Sequence, residues 1–422
     1  MITLADTRAV ALARAGQSVL SNHILHAVLF LTIASSFFVF VQPSPYEGLI
    51  AVLALVCVIA PTSIDRLLIP LILLAAIMIA AASSAVFKVL DTYKAVQFYG
   101  ITVYLQLTGI VFACIFTSDC ARRLDVARSA YIFAATIASV IGIIGYFQMF
   151  PGAEYYFTMD NRVSSTFKDP NAFGPFLVPP LLMIMERFIT ERMRWHQLIA
   201  ILIIFVALLL SFSRGAVGNF AAAAVVMLLF LYVTATGPRV RMRIVLLLVI
   251  GGTVGVLVFT ALLSVDEIAK MISERAVLLE SYDTGTSGAR FNVQLDALRL
   301  LLDYPNGMGP LVFSYINDLV AHNSYLDTAL NYGWLGGIAY TTQVTLTLFL
   351  GFRMMFIRTP WQSTFIVCHA AFLGLALEAF IVETDHTRQH YLLMGAIWGL
   401  SAASARYIRG QYKAPSDTPV PP

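Results

Sequence analysis

Apolar residues in this chain come in long runs, not in the short alternations of strands or the narrow stripes of soluble helices. The runs lie near 24–42, 47–64, 67–86, 97–118, 129–150, 173–189, 198–213, 215–235, 244–264, 333–352, 361–383 and 391–405. Each approaches the roughly 20 mostly apolar residues that a spanning helix needs. They predict an all-α integral membrane protein of about twelve transmembrane helices. The runs at 173–189 and 198–213 are short, and the first holds Pro179-Pro180. Such a pair kinks a membrane helix, either as a packing device alone or beside a water-lined cavity.

Polar positions concentrate in two connections, 151–172 and 265–332. Connections this long in a compact protein are usually functional or disordered. The second has helical periodicity over 265–280 and 288–303, with Phe291, Leu295, Leu298 and Leu302 sharing one face. Pro305-Asn306-Gly307-Met308-Gly309 then signals a turn. Beyond it Asp318, His322, Tyr325 and Ala329 recur at spacings of four, three and four, which predicts another helix. The expected organisation is therefore transmembrane helices one to nine over 1–264, with a short outer loop at 151–172. An outer helical cap over 265–332, periplasmic if the chain is bacterial, separates helices nine and ten. Helices ten to twelve and a cytoplasmic tail fill 333–422.

Composition supports the membrane reading. Of 422 residues 59% are apolar and 12% charged, and mean hydropathy is +0.80. Soluble domains carry about twice that share of charge. A water-soluble enzyme is excluded. The net charge is only +3, with no basic patch of the density that nucleic acid requires. Cys57, Cys114, Cys120 and Cys368 show neither metal-ligand nor disulfide spacing. The first 22 residues contain Arg8 and Arg14 but lack the short apolar core and cleavage site of a signal peptide, so they read as a retained tail. With the N-terminus inside, seventeen of the 27 Lys and Arg fall in inner segments. The positive-inside rule then places both termini in the cytoplasm.

Charges this sparse can be weighed singly. Arg214 stands in Ser211-Phe212-Ser213-Arg214-Gly215-Ala216, between two apolar runs with almost no loop. It is either an arginine snorkelling to the interface or a buried anion site, for which its planar fork suits phosphate oxygens. Arg162 and Lys168 lie in a turn-rich outer segment and read, by composition alone, as solvated loop charges. Arg290 and Arg299 lie on the second cap helix, where a lone arginine is usually a surface charge. Arg162, Arg214 and Arg290 nevertheless share one side of the membrane and could converge on one mouth. His322, four residues after Asp318, could accept a proton from a hydroxyl nucleophile or could simply be a structural histidine. Asp385, His386 and His390, with Glu378 and Glu383 just before them, read mainly as loop charges. Walker, nucleophile-elbow, HExxH and DxD patterns are absent, so metal-free chemistry on the outer face is expected, with no cofactor.

Thr166-Phe167-Lys168-Asp169-Pro170-Asn171, Ser213-Arg214-Gly215, Gly288-Ala289-Arg290, Pro305-Asn306-Gly307-Met308-Gly309, His322-Asn323-Ser324-Tyr325-Leu326 and Gly333-Trp334-Leu335-Gly336 follow one another in that order. This ordered set resembles the bacterial O-antigen ligase and polymerase family over roughly 160–340. The resemblance implies a metal-independent, inverting glycosyl transfer at the periplasmic face of the inner membrane. An undecaprenyl-diphosphate-linked glycan is the implied donor, and lipid A–core or a lipid-linked repeat the acceptor. It further implies Arg214 and Arg290 as diphosphate ligands with Arg162 as a third basic position. His322 would activate the acceptor hydroxyl, with Asp318, Asn323, Tyr325 and Lys168 in supporting positions. The sequence departs from the family at Val293-Gln294, where an aromatic is frequent, and at Ser165, where glycine is common. Two other readings remain open, namely a transporter or flippase of lipid-linked sugars and a non-catalytic partner of a polysaccharide export complex.

Overall fold

The computed structural model describes residues 20–411 except 42, 60–61, 63, 86, 88–90, 192–193, 276–289 and 318–319. Every predicted apolar run contains a helix. These are α1 (Leu20–Phe37), α2 (Pro45–Ile59), α3 (Ile69–Ala85), α4 (Thr92–Ile115) and α5 (Cys120–Tyr146), followed by α7 (Pro170–Thr190), α8 (Trp195–Leu210), α9 (Arg214–Thr234) and α10 (Pro238–Leu263). The short α6 (Ala153–Phe157) and a two-stranded antiparallel ribbon, β1 (Thr158–Met159) and β2 (Arg162–Val163), precede α7. After α10 come α11 (Asp266–Arg275), α12 (Arg290–Asp303), α13 (Val312–Asn317), α14 (Ser324–Met354), α15 (Gln362–Glu378) and α16 (Arg388–Ile408). Among the described residues, eight helices are long and apolar enough to cross a membrane. Helices α2, α8 and α15 are apolar but shorter. The chain is an all-α, multi-pass membrane protein.

Helix α7 forms the centre of the bundle, packed by α5, α8, α9, α10 and α15. Its helix continues through Pro175, Pro179 and Pro180, all buried. Helix α10 lies at the rim and buries only Ile244. Its many exposed Val and Leu side chains suit lipid, which is as apolar as they are. Helix α16 approaches α4 closely because Gly395 and Gly399 face Gly109 and Ala113, where a Cβ would come within 2.5 Å and 2.4 Å of backbone oxygens. Such small-residue seams are how helices gain packing contact when burial from water offers no drive.

Two of the arginines assigned to the inner side, Arg128 and Arg406, act as locks at one end of the bundle. Arg128 pairs with buried Glu186 at 2.9 Å and with Glu191 at 3.1 Å. Arg406 approaches Asp65 at 3.5 Å. Pairing of this kind is what makes a buried guanidinium tolerable.

The segment 265–332 carries a second, small core of Val293, Ala297, Phe313, Ala321 and Leu330. Phe291, Leu295, Leu298 and Leu302 are the exposed face of α12, at 40%, 55%, 49% and 69%. The helix has apolar residues around most of its circumference, and backbone anchors choose the buried side. Trp334 Nε1 donates to the Leu301 carbonyl at 2.8 Å, and Gln294 Nε2 donates to the carbonyls of His322 and Phe380, each at 3.2 Å. The predicted start of helix ten at 333 falls on a break inside α14, where Gly333 has φ 75° and ψ −176°.

Candidate functional site

The site is assembled at the end of the bundle opposite those locks, from the 151–172 connection, the α8–α9 turn, the start of α14 and the 379–387 connection. Leu210 ends α8 and Arg214 begins α9, so the chain reverses in three residues. Phe212 takes a left-handed φ of 46°, and the Ser213 side chain caps α9 by accepting from Ala216 N–H. Arg214 is therefore the first residue of a helix and half-buried. A cation there faces the positive end of the helix dipole, which costs about 0.3–1 kcal/mol unless an anion covers both.

Arg162 is buried, against the expectation of a solvated loop charge, while Lys168 is exposed as expected. The reason is local. The β1–β2 ribbon turns Arg162 inward, its Nε donates to the Ser211 carbonyl at 3.0 Å, and its Nη2 donates to Asn171 Oδ1 at 2.8 Å. It thereby braces the turn that presents Arg214. Arg290 is the first residue of α12, and its side chain lies outside the described residues.

His322 does not lie on a helix, which corrects the predicted stretch from Asp318 to Ala329. Residues 321–323 are non-helical, and His322 has φ 48°. Helix α14 starts only at Ser324, because the Asn323 side chain accepts from the N–H groups of Tyr325 and Leu326 at 3.1 Å. Asp318, expected to back the imidazole from the same helical face, lies outside the described residues. Tyr325 donates its hydroxyl to the Ala376 carbonyl at 2.9 Å, tying α14 to α15.

The 379–387 connection joins these parts, and its charges are not solvated as expected, with Asp385 buried and Glu383 and His386 half-buried. Ser324 N–H donates to the Ala379 carbonyl at 2.8 Å, and Thr384 N–H donates to Ser324 Oγ at 2.7 Å. On its other side, a Cβ at Gly215 would stand 3.0 Å from Glu378 Oε1 and 3.5 Å from Val382 Cγ2. Residues 378–382 thus fill the space between the start of α9 and the start of α14. Asp385 Oδ2 and His386 Nδ1 are 2.8 Å apart, and His386 Nε2 lies 2.9 Å from Thr102 Oγ1. Burial works against both charges, but each is the other's counter-charge, so the Asp385 carboxyl is lowered and the His386 imidazole raised. His390 lies deeper, stacked on Tyr340 with ring centres 5.8 Å apart. At the base of the same connection Arg388 donates to Glu47 at 2.6 Å and to the Ser36 carbonyl at 3.0 Å. It closes this end of the bundle.

Glu383 is the outlier of the group. Burial first, then the Asp385 charge, pushes its carboxyl up to about 8, and only the His322 backbone N–H pulls it down. The folded state therefore binds this proton more tightly than the unfolded chain does. The contribution to stability is complete below the unfolded value of 4.5 and is lost as pH rises through about 8. We expect Glu383→Gln to melt increasingly above the wild type between about pH 5 and about pH 9. Parallel melting curves across that range would show that Glu383 is ionised throughout.

Sequence reasoning passed over Asp385 and Glu383 because charge near a predicted loop usually means solvent. The available signal was the shortness of that loop between two apolar runs, the same signal that singled out Arg214. Residues 199–341 match the family model described as O-antigen ligase, a stretch that holds Arg214, Arg290 and His322. No curated protein matches the chain.

Proposed function

Starting from that match, which supports the O-antigen ligase and polymerase family, we propose that the chain is a metal-independent glycosyltransferase of the bacterial inner membrane. It takes a glycan from undecaprenyl diphosphate at the periplasmic face and passes it to a hydroxyl, on lipid A–core or on another lipid-linked repeat. About twelve helices cross the bilayer, both termini are cytoplasmic, and 265–332 forms the periplasmic cap. Partners in polysaccharide export fit the same location. The observation that carries the reading is the convergence of the α9 N-terminus, with Arg214, and His322 on the two sides of residues 378–384.

In the reaction the acceptor oxygen bonds to the anomeric carbon while the bond from that carbon to the diphosphate oxygen breaks. The acceptor proton goes to His322, and the electron pair leaves with the diphosphate. Charge grows on that leaving group, so a fixed guanidinium at a helix N-terminus stabilises the transition state more than the ground state. Arg290 shares the anion and Arg162 holds the turn beneath Arg214. With the base and the leaving group on opposite faces of the sugar, the anomeric configuration inverts.

Gel analysis of lipid-linked and surface glycans from a deletion strain tests this directly. Accumulated single repeats with no long chains identify a polymerase, whereas long chains retained on the carrier lipid identify a ligase. Unchanged patterns in both fractions would defeat the enzyme reading and favour a transporter.

A further inference from the structure

His322 sits in a backbone conformation that a histidine does not choose unaided. Its φ of 48° lies in the left-handed region, which costs a residue with a Cβ about 1–2 kcal/mol. Such a conformation persists only where the surroundings over-determine it. Here the surroundings are specific. The His322 N–H faces the Glu383 carboxyl, which accepts from it, and the His322 carbonyl accepts from Gln294 Nε2 at 3.2 Å. Gln294 is held in turn by the Phe380 carbonyl at 3.2 Å, and Ser324 is bonded to Ala379 and Thr384. Both polar groups of the His322 peptide frame are thus fixed by side chains from two other segments, α12 and the 379–387 connection.

We propose that Glu383 is a positioning residue for His322. Its carboxylate on the backbone N–H, with Gln294 on the carbonyl, holds the left-handed turn that sets where the imidazole stands. The inference rests on the proposed role of His322 as base. It goes beyond that role by assigning the device that aims the base.

The electrostatics support a functional reason for a carboxylate here. Glu383 is half-buried, its enclosed Oε1 has no hydrogen-bond partner among the described residues, and Asp385 on its own connection and Asp169 at the N-cap of α7 both face it. Asp327 of α14 faces Glu383 and Asp385 as well, with His386 the nearby cation. Two carboxylates, Asp385 and Asp169, thus press on Glu383, and Glu383 in turn presses on Asp327. Glutamine would fill the same space and still accept the N–H without that repulsion, so acidity here is destabilising to the fold and stands against the backbone of the base. Ionisation of Glu383 strengthens the bond to the N–H, so the turn tightens as pH rises through the range in which Glu383 titrates.

The test uses the full-length protein in detergent, with lipid-linked glycan extracted from the deletion strain as donor and the strain's own glycolipids as acceptor. Misplacing a catalytic group by about 1 Å can cost about 100-fold. Glu383→Ala should therefore lower kcat by at least about ten-fold while leaving KM for the extract within about two-fold. Gln294→Ala should do the same to a smaller degree. Glu383→Gln should recover most of the rate at neutral pH and lose the rise in rate that the wild type shows above it. If Glu383→Ala does not fold, Gln294→Ala and Glu383→Gln carry the test. Wild-type kcat in Gln294→Ala together with an unchanged pH profile in Glu383→Gln would overturn the proposal. A fully active His322→Ala protein would instead remove the base itself, and an inert His322→Ala beside active Glu383 and Gln294 variants would remove only the positioning role.

Discussion

His322→Ala and Arg214→Ala are each expected to reduce glycan transfer by purified protein to background, with the protein still inserted and folded. A general base contributes about 100- to 10,000-fold, and loss of one fixed donor to a developing anion costs about 100- to 1,000-fold. Neither side chain is a packing element. Both are half-buried, and Arg214 stands at a helix start, where removing a cation relieves about 0.3–1 kcal/mol of dipole repulsion. The two variants should differ in kind. Arg214→Lys keeps a point charge but loses the planar fork, so it should retain partial activity. No such intermediate substitution is expected at position 322, where lysine or glutamine supplies no proton acceptor near neutral pH. Rates are read by gel from the lipid-linked donor. Full activity in Arg214→Ala would end the diphosphate assignment.

Gly333→Ala is expected to give the largest loss of stability among single substitutions outside the site. Its φ of 75° and ψ of −176° place it in a region open essentially to glycine alone. A Cβ there would stand 2.7 Å from the Pro305 carbonyl oxygen and 2.8 Å from Gly307 N, both backbone atoms that cannot step aside. Gly307, at φ 75°, faces Gly333 N at 2.5 Å from its own would-be Cβ, so the two glycines lie back to back. Conformational strain contributes about 1–3 kcal/mol and the clash about 1–3 kcal/mol more. The contact joins the cap to α14, since Trp334 N–H donates to Pro305 at 2.9 Å and Met308 N–H to Leu330 at 2.7 Å. Transfer should therefore fall with stability, because the start of α14 carries Asn323 and follows His322. Gly252→Ala is the control, as its Cβ meets nothing within 4 Å on the rim helix α10. Equal melting temperatures for Gly333→Ala and Gly252→Ala would refute the back-to-back contact.

Helices were legible because the signals are local. An apolar run of membrane length has few alternatives to a helix, since lipid leaves no other partner for backbone N–H and C=O groups. Helix starts were less legible, since Asp169, Ser213 and Asn323 each accept from the first turn of a helix whose start hydropathy alone did not mark. The turn glycines at 307 and 309 and the abrupt reversal at 211–213 also announced themselves in the chain. What failed were inferences about burial and about local conformation, as at Arg162 and His322. The stripe of Phe291, Leu295, Leu298 and Leu302 does share one face, but its spacing does not say that this face is the exposed one, because the alternative face is nearly as apolar. His322 looked four residues along a helix from Asp318, although a capping Asn323 stood between it and the helix proper.

The sequence by itself determined the membrane class, the positions of the apolar helices and the short list of candidate residues. Each of these follows from hydropathy or capping within a few neighbouring residues. The tertiary structure decided that Arg162 braces a turn, that Asp385 is buried and Glu383 half-buried, and that the 379–387 connection lies between Arg214 and His322. Those outcomes depend on which segments meet, and the meeting is set by small-residue seams and backbone anchors between helices far apart in the chain. A charge next to water and a charge beneath another loop have the same letter in the sequence, and only packing tells them apart.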